Sequence, residues 1–282
     1  MRKMILALAV MFVPAIALAQ SPAAAADPHA EHESIMSVVQ DWAKARLAKS
    51  PRHQEWVQVK NGGRSVKSFV VYPEVNHKAN AVIVIHEIFG MTDWVQTVAD
   101  KLAEAGYIAI APDLLSGMGP GGGDFTDRSA VGKAIMSLPP DQITGDLNAV
   151  ADYVKGLPSS NGKIVVSGFC WGGAQSFRFA TNRPDLKAAF VFYGTPPDKD
   201  SLARIKCPVY GFYAGNDNRV TSTVQGTTAD MKSIGKAFDP VVYDGAGHGF
   251  MRAGEDPANT NQDNVKAHDQ GWDRWLAILK KT

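Results

Sequence analysis

The run Gly168-Phe169-Cys170-Trp171-Gly172-Gly173 is the part of this sequence best suited to covalent chemistry. It follows the apolar stretch Ile164-Val165-Val166 and leads into residues 172–181, which read as a helix. A sharp strand-to-helix turn needs small neighbours, and Gly168 and Gly172 supply them. The central side chain then stands above the sheet at a helix N-terminus, whose field favours the nucleophilic thiolate. A single cysteine is more often an inert buried residue, so the reading needs partners.

Partners follow in the expected order. Asp217 comes just after the apolar run ending Tyr213-Ala214-Gly215. His248 lies in Gly245-Ala246-Gly247-His248-Gly249-Phe250, after the apolar residues 241–243 and before the last helical stretch. Nucleophile, acid and histidine, each placed after a strand, all fall on the sheet edge where α/β proteins bind ligands. That order suits acyl transfer through a covalent intermediate.

The remaining titratable residues compete poorly. His29, His32, His53, His77 and His268 fall on a leader, loops or a polar helix and read as solvated. No metal-ligand spacing connects them, and no metal is expected. His86 ends an apolar strand and reads as a packed or hydrogen-bonded histidine. Asp113 and Asp244 also end strands and stand in reserve behind Asp217.

These groups need a scaffold. Residues 56–60 and 67–72 read as a hairpin around Asn61-Gly62-Gly63. Continuous apolar runs follow at 81–85, 107–111, 164–166, 188–193, 208–213 and 241–243. Helical stretches at 93–105, 141–155, 172–181, 220–236 and 259–280 alternate with them. Such alternation predicts an α/β fold, a mostly parallel sheet of about eight strands covered by helices on both faces. Residues 51–282 form one such domain. Residues 34–50 read as a helix with Ser34 as cap, added to the domain at its N-terminal side. Gly117 to Gly123 is a glycine-rich loop, followed by a polar insertion to about Leu138. It lacks the Lys-Ser/Thr ending of a phosphate loop and reads as a flexible rim over a pocket.

Met1-Arg2-Lys3, the apolar run from Ile5 to Leu18 broken by Pro14, and Ala17-Leu18-Ala19 have the layout of a secretory signal. Residues 1–19 are expected to be removed and 20–33 to form a flexible leader. The expected location is outside the cytoplasm, in a bacterial periplasm, with no membrane attachment after cleavage. The chain has 29 Lys and Arg against 28 Asp and Glu, which gives no electrostatic case for nucleic acid. Disulfides persist in that compartment. Cys170 falls at the end of one strand and Cys207 at the start of another, too far apart for a bridge.

His86-Glu87-Ile88-Phe89-Gly90, Ala111-Pro112-Asp113-Leu114, the cysteine turn, Gly215-Asn216-Asp217 and Gly247-His248-Gly249-Phe250 together resemble the dienelactone hydrolase family of α/β-hydrolases. The resemblance spans about residues 55 to 281. It implies hydrolysis of lactones or small esters without a cofactor. It implies Cys170, His248 and Asp217 as the triad, with Glu87 as an added carboxylate contacting the thiol. The amides of Ile88 and Trp171 are the expected oxyanion donors, and Phe89 and Trp171 wall the pocket. Of two substrate-carboxylate anchors in the family, Arg252 matches one. Gly117 stands where the other arginine belongs. That departure leaves a neutral or differently shaped ester open.

The function expected from all this is hydrolysis of a small lactone or ester through an acyl-enzyme, by a monomer, with an oligomer left open. A broad carboxylesterase and a non-catalytic thiol redox or binding protein are the alternatives.

Overall fold

Long apolar runs become the central strands because a parallel strand must bury both faces. The computed structural model describes residues 40–125 and 127–282. The signal segment, the leader with His29 and His32, and the Ser34 cap lie outside the described residues. The hairpin comprises β1 (Gln54–Asn61) and β2 (Arg64–Val71), turned at Gly62-Gly63. The other strands are β3 (Ala79–Ile85), β4 (Ile108–Pro112), β5 (Ser160–Phe169), β6 (Ala189–Phe192), β7 (Val209–Ala214) and β8 (Phe238–Tyr243). They form one eight-stranded sheet in the order β1-β2-β4-β3-β5-β6-β7-β8. The pairings of β1 with β2 and of β2 with β4 are antiparallel, and all others are parallel.

Alternation along each strand splits the core in two. Ile83 and Val166 face one side, with α4 (Pro140–Lys155), α5 (Trp171–Asn182) and α7 (Asn218–Ser233). Val82, Val84 and Val165 face the other, with α1 (Asp41–Lys49), α2 (Asp93–Glu104) and α9 (Gln262–Leu279). Two single-turn helices, α6 (Lys199–Leu202) and α8 (Phe250–Ala253), complete the connections. The N-terminal helix docks on α2. Ala43 is buried, Arg46 pairs with Glu104 at 2.9 Å, and the Gln40 side chain accepts the Trp94 amide at 2.9 Å. None of the described helices is long and apolar enough to cross a membrane.

Two expectations need correction. The insertion after the glycine-rich loop contains a helix, α3 (Arg128–Met136). Val131, Ile135 and Leu138 recur at helical spacing and enter the core, so the insertion is more than rim. His268 is not solvated. It lies on the buried stripe Asn264, Ala267, His268, Gly271, Trp275 of α9. There Nε2 is 3.3 Å from Lys101 Nζ and Nδ1 is 2.9 Å from Asp269 Oδ1.

Candidate active site

β5 delivers Cys170 to the C-terminal edge of the parallel strands. The residue adopts φ 56°, ψ −118°, a conformation L-residues avoid. Its amide donates to Phe192 O at 3.0 Å and its carbonyl accepts the Ala174 amide at 3.2 Å, so the turn is held from strand and helix together. A Cβ at position 168 would fall onto the Gly172 carbonyl oxygen, and one at 172 onto the His86 oxygen. Strand, helix and the β3 loop therefore approach with only glycine between them. Strain at a non-glycine residue persists only where its surroundings over-determine it, and such strain gathers at functional sites.

Asp217 follows β7 at the start of α7, and His248 follows β8. The two loops are stitched together. Gly215 donates to Tyr243 O at 2.8 Å, Asn216 to Ala246 O at 2.9 Å, and Gly247 to the Asn264 side chain at 2.8 Å. His248 Nδ1 donates to Asp217 Oδ2 at 2.5 Å. Burial pulls the imidazole pKa down, but the Asp217 carboxylate and the Cys170 side chain outweigh that and push it up to about 9. Burial likewise opposes the Asp217 charge, yet His248 holds that carboxyl below its ordinary range. The Tyr193 and imidazole rings meet in a T-shaped arrangement, with centroids 5.0 Å apart. Tyr193 itself has φ 41°.

On the other side, Glu87 is 2% exposed. Its Oε2 accepts from Arg252 Nε at 2.8 Å, and the guanidinium lies 5.5 Å from the centre of the Phe89 ring. The carboxylate expected at the thiol is thus held by the arginine expected at the substrate. His86 fixes the loop below. It is 5.5 Å from Trp171 in a stacked arrangement, Nδ1 donates to Glu87 O at 2.8 Å, and Nε2 accepts the Leu114 amide at 3.4 Å. Burial lowers its pKa, in keeping with that neutral bonding pattern. The Gly90 amide closes a turn onto Glu87 O at 3.2 Å. Ile88 lies in the loop after β3, and Trp171 opens α5 directly after Cys170. No backbone acceptor takes either amide among the described residues.

A cleft of about 340 Å³ opens beyond Phe89, between β1, β2 and the loop after β4. A cavity of about 390 Å³ lies near Lys187, Pro208 and Tyr210, at the opposite edge of the sheet and away from Cys170. Among the described residues no group of three His, Cys, Asp or Glu could hold a metal ion. Both cysteines are free thiols, and burial pushes the Cys207 thiol up to about 11. Asp244 is exposed and Asp113 caps the Leu115 amide at 3.0 Å, so neither displaces Asp217. Tyr193 and Asn264 were not singled out from sequence. Tyr193 ends β6 as Cys170 ends β5, a strand-end position that could have marked it.

The sequence model of the Dienelactone hydrolase family matches residues 66–282. This chain belongs to the dienelactone hydrolase family. Two curated relatives bear the name "Putative carboxymethylenebutenolidase". One, from Escherichia coli K12, is 30% identical over 212 residues, 71% of this chain and 76% of that one. The other, from Methylorubrum extorquens, is 31% identical over 181 residues, 60% of this chain and 62% of its own length. Among solved structures, a "Putative Dienelactone Hydrolase" from Klebsiella pneumoniae superposes with a TM-score of 0.72. It shares 25% identity, and the match covers 82% of this chain and 99% of that one. The fold is that of this family, and the chain is a hydrolase acting on ester bonds.

Proposed function

We propose that this hydrolase opens small lactones or carboxylic esters through a Cys170 acyl-enzyme. The observation that carries the reading is the chain Asp217–His248–Cys170 at a strained strand-to-helix turn. His248 takes the thiol proton, and Asp217 orients the ring and stabilises its charged form. The thiolate attacks the carbonyl carbon. The oxyanion is met by the amides of Ile88 and Trp171, where each donor contributes about 2.7–4 kcal/mol to transition-state stabilisation. His248 returns the proton to the leaving alkoxide. Water, activated by the same ring, then attacks the thioester, and Cys170 departs.

Glu87 is the second carboxylate of the site, and Arg252 restrains it. Loosening of that pair on substrate binding would bring Glu87 within reach of the thiol proton. Phe89 and Trp171 form the wall. Arg252 can receive a substrate carboxylate only by giving up Glu87. No cofactor is needed for any step.

The test is rapid mixing of the purified protein with p-nitrophenyl acetate. A burst of about one equivalent that disappears on thiol alkylation and in Cys170→Ala supports the reading. Hydrolysis that survives both would refute it.

Export to the periplasm is proposed from residues 1–19. Mass analysis of the protein from its own cells should give a chain beginning near Gln20. A chain retaining Met1 to Ala19 contradicts export with cleavage.

A further inference from the structure

The cleft beside Phe89 lies on the catalytic edge of the sheet, because Lys67 and Asp113 sit where β2 and β4 run past their last shared pair, Ser68 with Pro112. Its walls include the aromatic rings of Trp56, Phe89 and Phe125. Three charges line it among the described residues: Lys67, Asp113 and Asp124. Lys67 Nζ is 2.9 Å from Asp124 Oδ2 and 4.9 Å from the centre of the Trp56 ring. Its charge is therefore engaged by a carboxylate and an aromatic face.

Asp113 differs. It accepts the Leu115 amide at 3.0 Å and forms no ion pair among the described residues. Two nearby cations among the described residues have other partners. Arg64 gives Nε to Asp146 at 2.8 Å, and its two terminal nitrogens each donate to a carbonyl, of Ser116 and Leu114. Arg252, on the far side of Phe89, is buried against Glu87. A ligand in this cleft therefore meets aromatic faces and one carboxylate that has no ion pair among the described residues. Aromatic walls next to a carboxylate attract cations and flat apolar groups and repel anions.

We infer that this cleft binds an aromatic arm of the ester that is neutral or cationic and not carboxylated, with Asp113 as the residue that sets the sign. The inference rests on the thiol-hydrolase reading for its link to turnover, but its binding order stands apart from catalysis. Lys67 already shows the interaction in miniature, an ammonium held between the Trp56 face and a carboxylate.

The test uses three matched esters: phenyl acetate and its para-trimethylammonium and para-carboxylate derivatives. Binding is measured by calorimetry on full-length Cys170→Ala, where chemistry does not interfere. The cationic and neutral esters should bind about tenfold more tightly than the carboxylate. Asp113→Asn keeps an oxygen for the Leu115 amide and removes the charge, so the cation-to-anion ratio should fall severalfold. Asp124→Asn frees Lys67 and should strengthen carboxylate binding. Equal or tighter binding of the carboxylate to Cys170→Ala overturns the inference, as does an unchanged ratio in folded Asp113→Asn. Turnover of the same esters by the intact thiol is read separately. Hydrolysis independent of Cys170 sinks the catalytic reading while leaving the binding order to be judged by itself.

Discussion

The two sides of Cys170 are built by different means. On the triad side, β5, β6, β7 and β8 lie in parallel register, and their loops are joined by backbone hydrogen bonds. Phe192, Phe212, Tyr193 and Trp275 pack ring against ring beneath them. On the cleft side, an antiparallel hairpin carries Trp56, 43% exposed, and Lys67, whose ion pair with Asp124 is partly solvated. Exposed pairs of that kind contribute only about 0–1 kcal/mol and exchange easily. The difference teaches that the chemistry is fixed by backbone approach and dense packing. In the proposed reading, choice of substrate is left to side chains at a looser margin.

That contrast predicts graded effects. The largest should come from the triad. Asp217→Asn is expected to lower kcat about 10⁴-fold while leaving the fold intact, because the imidazole loses its oriented tautomer. Steady-state kinetics and a thermal melt read this together, and a loss below tenfold would break the comparison. Next is the Glu87–Arg252 pair. Arg252→Gln strands a buried carboxylate and should destabilise the protein by about 3–5 kcal/mol in denaturant unfolding. A loss under 1 kcal/mol would place that pair with the loose side.

A pH series sharpens the same distinction. The folded pKa of His248 is raised from 6.5 to about 9. A raised value means the folded state holds the proton more tightly. The stabilisation is therefore complete below about pH 6.5 and lost as pH rises through about 9. The melting temperature should fall across that window, and the fall should flatten in His248→Gln. An identical slope in the variant removes His248 as its cause. The smallest effect belongs to the cleft. Trp56→Ala should raise KM for aryl esters about fivefold with kcat nearly unchanged, the signature of lost uniform binding. A large fall in kcat instead would place Trp56 with the chemistry.

Sequence exposed the tight side better than the loose one, for a physical reason. Cys170, Asp217 and His248 sit at strand ends with glycines around them, and those glycines exist because backbones touch there. Apolar runs located the six later strands to within a few residues, since parallel strands bury both faces, and the Asn61-Gly62-Gly63 turn located the hairpin. Helix α3 was hidden by the polar and glycine-rich residues around it, although Val131, Ile135 and Leu138 carry the period. His268 reads as solvated in the sequence because polar neighbours mask the apolar stripe it shares. Lys67 and Trp56 gave no signal at all. Their role depends on β2 pairing with β4, a contact 44 residues apart from Ser68 to Pro112 that no local pattern announces. The bond between Glu87 and Arg252 is likewise a meeting of two distant loops.

The most direct test of the central claim is intact-protein mass spectrometry after quenching a millisecond reaction with p-nitrophenyl acetate at acid pH. One acetyl group is expected, mapped to the peptide containing Cys170, released on further incubation, and absent in Cys170→Ala. An acetyl group on any other residue that turns over at the rate of product release would contradict it, as would full turnover with no adduct on Cys170 at any time.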